Sequence, residues 1–238
     1  MSELSAMVFA AGRGTRMRPL TAITPKPLIE VWGKALIDRV FDRLEETGVT
    51  RFVVNVSYLA DMIEVHVRRR IGARATICDE RAGALETGGG LVRALPHLGT
   101  APFLVANSDT FWIEGASATM TRLVAAFDAS RMDALLVLAP TVTAVGYDGR
   151  GDFELGTDGR LSRRRERTIA PFVYAGCAMM APAAVADPPA GAFSLNVAFD
   201  RLIAAGRLYG LRLDGLWIHV GTPAAIVEAE RAIKASAP

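Results

Sequence analysis

Lysine, cysteine and surplus charge are all scarce in this chain. Of its 27 basic residues only Lys26, Lys34 and Lys234 are lysine, and the formal net charge is +2. A near-balanced charge argues against a dedicated nucleic-acid binder, which carries a strong basic excess or stripe. The two cysteines, Cys78 and Cys177, are isolated in strand-like apolar contexts, where a thiol reads as a small buried hydrophobe. No apolar run reaches the roughly 20 residues needed to span a bilayer. The opening Met1-Ser2-Glu3-Leu4 lacks the basic and apolar regions of a secretory leader. These absences predict a cytoplasmic protein with no membrane or nucleic-acid partner, acting as a monomer or small homo-oligomer.

What the chain does contain is an ordinary globular composition, 51% hydrophobic and 22% charged over 238 residues, without linker, repeat or low-complexity segment. One domain over 1–238 is expected. Residues 6–10 form an apolar run that ends at Gly12 and Gly14, the pattern of a buried strand entering a tight loop. Helical spacing over 36–44 stops at Gly48, and strands at 51–56, 74–79, 102–107 and 133–139 alternate with helices at 58–70, 83–95 and 117–129. That alternation predicts parallel βαβ units in a layered α/β fold. Residues 141–180 change texture, with turn signals at Asp148-Gly149 and Asp158-Gly159, and read as an inserted, partly antiparallel section. A helix at 195–205, strands at 208–213 and 216–220, and a helix at 222–235 complete the pattern. Asp214-Gly215, between the last two strands, reads as a hairpin turn.

The strongest motif follows the first strand: Ala10-Ala11-Gly12-Arg13-Gly14-Thr15-Arg16-Met17-Arg18-Pro19-Leu20. Glycines let the backbone turn sharply and bring successive amides towards phosphate oxygens. Arg13, Arg16 and Arg18 add fixed charge and bidentate donors suited to a polyphosphate. The Gly-Lys-Ser/Thr ending of a Walker loop is missing, and Met17 stands at the third glycine of the dinucleotide fingerprint. Thr24-Pro25-Lys26-Pro27-Leu28 then sets a lysine between two prolines, which restrict the backbone around it.

The run from Ala10 to Leu28 resembles the signature of the sugar-1-phosphate nucleotidyltransferase family. The resemblance implies a Rossmann-like three-layer α/β/α sandwich, with a mostly parallel mixed sheet and an inserted antiparallel section. It implies transfer of a nucleotidyl group from an NTP to a sugar 1-phosphate. Ala10, Ala11, Gly12, Arg13, Gly14 and Thr15 would then bind the nucleotide, Arg16 the departing pyrophosphate, and Lys26 the phosphates at the reaction centre. Leu85-Glu86-Thr87-Gly88-Gly89-Gly90-Leu91 is a second glycine cluster, opening a helix. By resemblance Glu86, Gly88 and Gly89 would let the nucleobase edge meet backbone groups. Its Glu-Thr-Gly-Gly-Gly form is similar to the uridylyltransferases that act on N-acetylmuramate 1-phosphate in cell-wall recycling, as is Gly149-Arg150-Gly151-Asp152-Phe153. Gly151 and Asp152 would then contact the sugar. A strand-start aspartate with a local turn role is the alternative for Asp152.

Asn107-Ser108-Asp109-Thr110 ends a buried strand, where open α/β sheets place their ligands. Asp109 can hold Mg²⁺ against phosphate oxygens, and Asn107 resembles the position that touches the sugar phosphate. The chain departs from the family at Trp217-Ile218-His219-Val220-Gly221-Thr222, where the family carries aspartate as second metal ligand and this chain has His219. Imidazole suits Mn²⁺ or Zn²⁺ better than Mg²⁺. His219 therefore ligates a different metal, meets Mg²⁺ through water, or marks a lost contact. The basic cluster Arg160, Arg163, Arg164, Arg165 and Arg167 contains no aromatic residue for stacking and reads as a solvated or substrate-facing edge. Alternative substrates are mannose 1-phosphate with GTP or phosphocholine with CTP. The alternative class is a non-catalytic nucleotide-sugar-binding regulator.

Overall fold

The computed structural model describes residues 3–236. From the N-terminus, β1 (Leu4–Phe9) leads into three 3-10 turns at Thr15–Met17, Leu20–Ala22 and Lys26–Leu28, then a small hairpin of β2 (Glu30–Val31) and β3 (Lys34–Ala35). Regular alternation follows: α1 (Leu36–Glu46), β4 (Val49–Val56), α2 (Ala60–Ile71), β5 (Ala75–Asp79), α3 (Glu86–Leu98) and β6 (Phe103–Asn107). Next come β7 (Thr110–Glu114), α4 (Thr119–Ala126) and β8 (Ala134–Pro140), then β9 (Phe153–Leu155), β10 (Leu161–Arg163) and β11 (Phe172–Met180). The chain closes with α5 (Leu195–Ala204), β12 (Leu208–Arg212), β13 (Gly215–His219) and α6 (Pro223–Ser236).

Nine strands form one mixed sheet, in which β10, β9, β11, β6, β1, β4 and β5 lie side by side and β8 joins β11 to β12. The pairs β1–β4, β1–β6 and β4–β5 are parallel, and β11 runs antiparallel to both β6 and β8. The expected inserted section is thus an antiparallel extension of the parallel half formed by β6, β1, β4 and β5. On β1, Ala6 and Val8 enter one core while Met7 and Phe9 enter the other, so helices cover both faces. Three layers result.

α1 shows why its residues fold as they do. Leu36, Ile37, Val40, Phe41 and Leu44 are all buried, and Gly48 at φ 90° ends the turn with its N–H on the Glu45 carbonyl at 2.9 Å. Phe41 meets Phe52 of β4 edge-to-face, with ring centroids 5.6 Å apart. α4 is shorter than its sequence pattern because Asp128 starts a turn, accepting from Ser130 and Met132 backbone amides.

One expectation is corrected. Asp214-Gly215 is no hairpin turn, because β12 pairs with β8 in the large sheet while β13 pairs with β7 in a separate two-stranded ribbon. The step between sheets is held by Asp214, whose carbonyl accepts from Gly115 N at 2.7 Å and whose Oδ2 accepts from Ala116 N at 3.1 Å. The ribbon matters for the site. A satellite core of Met17, Ile29, Val31, Leu36, Phe111, Ile218, Val220 and Ala229 locks it to the loop after β1.

Candidate active site

The carboxyl ends of β1, β4, β5 and β6 open along one edge of the sheet, the edge where open α/β folds bind ligands. Three cavities of about 360, 230 and 470 Å³ lie there, and Asp109 lines all three. The first, floored by Asn55 and Glu80, runs between Ala11–Arg13 and Ala84–Thr87. The second is enclosed by Gly12, Gly14, Thr15, Arg16, Lys26 and Gly221. Asn107, Tyr147, Asp148, Trp217 and His219 surround the third.

The first glycine segment is built around Gly14. At φ 60° it sits where a Cβ would stand 2.9 Å from Thr21 Cγ2 and 3.0 Å from Lys26 Cβ, so any other residue pushes the lysine away. Thr21 Oγ1 donates to the Gly14 carbonyl at 2.9 Å, and the Tyr58 hydroxyl donates to the Thr21 carbonyl at 2.8 Å. Lys26, only 8% exposed, then reaches Asp109 Oδ2 with its Nζ at 2.8 Å. Gly12 differs, since a Cβ there would meet nothing within 4 Å and its backbone faces open space.

A buried polar relay ties the two glycine segments together. Asn55 Oδ1 accepts from Ala10 N at 2.8 Å, Asn55 Nδ2 donates to Glu80 Oε1 at 2.9 Å, and Glu80 Oε2 accepts from Leu85 N at 3.1 Å. Asn55 and Glu80 are 3% and 1% exposed, so each needs these partners to be buried without large cost. Both escaped the sequence reading. The available signal was a polar residue closing an apolar strand, at the end of β4 and just after β5.

The second glycine segment is turned into the protein. Gly88 N and Gly89 N donate to the Phe193 carbonyl at 2.8 and 3.2 Å, and a Cβ on Gly88 would lie 2.3 Å from the Phe193 ring. Gly90 makes room for the relay, with Glu80 Oε1 2.8 Å from where its Cβ would be. Glu86 does line the first cavity, and holds φ 58° to start α3 there. Gly151 and Asp152 are not among the residues lining the three cavities. Gly151 lies under the Ala170 carbonyl, 2.4 Å from a notional Cβ, and Asp152 Oδ2 accepts from Tyr174 N at 3.0 Å. The arginine cluster lines none of the three either. Arg163 pairs with Asp200 at 2.6 Å, and Arg164 donates to the Gly151 carbonyl at 3.1 Å, bracing the β9–β11 section.

His219 reaches Asp109 by register. In the β7–β13 ribbon His219 stands opposite Thr110, and Val220 N donates to the Asp109 carbonyl at 3.2 Å. Burial pushes the Asp109 carboxyl up, but Lys26, His219 and Arg16 outweigh it and hold the group below its usual range, so it is charged near neutrality. Burial lowers the His219 imidazole, Asp109 opposes this, and Lys26 and Arg16 lower it further, leaving it neutral at pH 7. Among the described residues no three His, Cys, Asp or Glu side chains converge to hold a metal. Asp109 alone fits a hard divalent cation, because its second carboxylate oxygen has no hydrogen-bond partner among the described residues. One carboxylate with phosphate oxygens and water is a common Mg²⁺ arrangement. The His219 donor fits less well, as its Nδ1 is buried with no partner.

This geometry can cradle a polyphosphate beside a nucleoside-sized cavity and present a second phosphate from the other side. Comparisons with known proteins identify the family. The model of the MobA-like NTP transferase domain matches residues 6–153. The chain is 49% identical over 229 residues to N-acetylmuramate alpha-1-phosphate uridylyltransferase of Caulobacter vibrioides, covering 94% of this chain and 95% of that one. It is 35% identical over 232 residues to the protein of the same name from Neisseria meningitidis, covering 95% and 97%. The fold matches the crystal structure of HddC from Yersinia pseudotuberculosis complexed with GMP-PN, with a TM-score of 0.77 at 21% identity over 97% of this chain and 99% of that one. A matched family model over most of the chain and two full-length relatives lead to one conclusion: the chain belongs to the MobA-like NTP transferase family, among its sugar-1-phosphate nucleotidyltransferases.

Proposed function

We propose that this enzyme transfers a uridylyl group from UTP to N-acetylmuramate α-1-phosphate, releasing pyrophosphate, in cell-wall sugar recycling. The observation that carries this reading is the meeting of three cavities at Asp109, with Lys26 paired to it and Arg16 beside it. The relatives' names supply the choice of base and sugar.

The nucleoside lies in the first cavity, against Ala11, Glu86 and the Asn55–Glu80 floor. The β- and γ-phosphates lie in the second, on the Gly12–Arg16 backbone and the Arg16 guanidinium. The sugar phosphate enters through the third, between Asn107 and Tyr147. An oxygen of the sugar phosphate attacks the α-phosphorus in line and pyrophosphate departs towards Arg16. The attacking group is already an anion, so no general base is required. Lys26 and Arg16 neutralise charge that builds on the phosphoryl oxygens, and the preformed loop holds the reactants in line. A divalent cation held by Asp109, Mg²⁺ or Mn²⁺, would supply further charge neutralisation between the phosphates.

The test is pyrophosphate release across four NTPs and a panel of sugar 1-phosphates, with each cation. UTP with N-acetylmuramate α-1-phosphate is expected to turn over fastest. Preference for GTP with mannose 1-phosphate would replace the substrate assignment, and silence across the panel would reject transfer altogether.

A further inference from the structure

Resting on that transfer reading, we propose that His219 is a hydrogen-bond donor to a substrate phosphate oxygen, through Nε2–H, and not a ligand of the cation. Three observations combine. The ring is held firmly: His219 N donates to the Val145 carbonyl at 2.9 Å, and its imidazole stacks on Trp217 with centroids 5.6 Å apart and planes 20° apart. Tyr147 packs edge-on against the same pair, 6.5 Å from the His219 ring and 5.7 Å from Trp217. The imidazole therefore presents one fixed edge to the cleft.

The buried edge decides the tautomer. Nδ1 has no hydrogen-bond partner and is shielded from solvent. A cation on Nε2 would force the proton onto Nδ1, into a place with nothing to accept it. Metal-bound imidazoles nearly always donate that second N–H to a carboxylate, a carbonyl or water. An orphaned buried N–H is also rarer than an orphaned acceptor. The hydrogen-bond network therefore assigns the proton to Nε2.

The open edge has a matching gap. A Cβ on Gly221 would stand 2.6 Å from His219 Nε2 and 3.5 Å from an Arg16 terminal nitrogen, so the glycine leaves a space that both donors border. Arg16, Asp109 and Gly221 line both the second and the third cavities, which puts this space at their junction. Two N–H donors around a gap suit an anionic phosphate oxygen. The protein's own contact with the cation is then Asp109 alone, and the nucleotide brings the remaining ligands.

Two measurements test this without turnover. Binding of UTP and of pyrophosphate in EDTA is compared by calorimetry for wild type, His219→Ala and His219→Gln, whose amide nitrogen can stand near the position of Nε2. The alanine variant is expected to bind about tenfold more weakly, the scale of one hydrogen bond to a charged group, and the glutamine variant within about threefold of wild type. Nitrogen-15 spectra of the three imidazoles, with His219 assigned by its loss in His219→Gln, are expected to show the proton on Nε2. Adding Mg²⁺ with UTP should leave it there. Equal affinity of wild type and His219→Ala in EDTA, or a proton on Nδ1 with Nε2 shifted by the cation, overturns the proposal. If His219→Ala does not fold, the wild-type spectra alone decide it. Failure of wild type to bind UTP with or without Mg²⁺ would instead bring down the transfer reading beneath it.

Discussion

In the segment after β1, Gly12 leaves its backbone bare to a cavity and Gly14 brings Lys26 close to Asp109; in the segment that opens α3, Gly88 and Gly89 press against Phe193. Both runs have the same residue type at a strand-to-helix passage. The difference between them is what lies opposite. Beside Gly12 there is nothing, and a ligand can use the exposed amides. Beside Gly88 there is an aromatic ring and a carbonyl that has already taken the amides. The bare backbone of a glycine becomes a binding surface only where the rest of the chain has left space for a ligand.

The cavity-facing side of this contrast makes the larger predictions. Lys26→Ala and Asp109→Ala are each expected to cut turnover by at least about two orders of magnitude, the usual scale for a preorganised electrostatic group. Steady-state kinetics near wild type for either would remove these residues from the transfer step. Gly88→Ala forces a Cβ onto the Phe193 ring and should destabilise by about 1–3 kcal/mol, an overpacking cost that lowers Tm by several degrees. The KM for UTP in that variant should stay within about twofold of wild type. A normal melting curve with a raised KM would instead turn the second segment towards the nucleotide. Gly12→Ala should behave in the opposite way, with Tm unchanged and UTP affinity about tenfold weaker by calorimetry, roughly the loss of one charged hydrogen bond.

Away from both segments the expected effects are smaller. Cys177, with its thiol pushed up to about 12 by burial and by Glu114, should resist alkylation in the native protein at pH 8, as should buried Cys78. Mass spectrometry after iodoacetamide treatment checks this. Rapid native labelling of Cys177 would mean that the core against α4 opens readily.

The glycine- and arginine-bearing loop after β1 was legible in the sequence because its determinants are local. A strand, two glycines, three arginines and a proline-flanked lysine all lie within the 24 residues from Leu4 to Pro27, and their spacing constrains their chemistry. The rest depends on partners far along the chain. Gly88 and Phe193 are separated by more than a hundred residues, so no pattern near Gly88 shows that its amides are taken. The place of His219 follows from the β7–β13 ribbon, and β7 itself went unread between Asp109 and the helix after it. Asp214-Gly215 looked like a hairpin because the local signal is the same for a turn within a sheet and a step between sheets. Asp152 shows the same limit, since the Tyr174 amide that occupies its carboxylate belongs to the antiparallel extension.

The proposed transfer requires Asp109 to stand where nucleotide, pyrophosphate and acceptor sites meet. A crystal structure with UDP-N-acetylmuramate and Mg²⁺ tests it most directly. The expected density places uridine between Ala11 and Glu86, the diphosphate within reach of Asp109 and Lys26, and the sugar against Tyr147. Uridine bound elsewhere, or a diphosphate remote from Asp109, would rule out this role for Asp109.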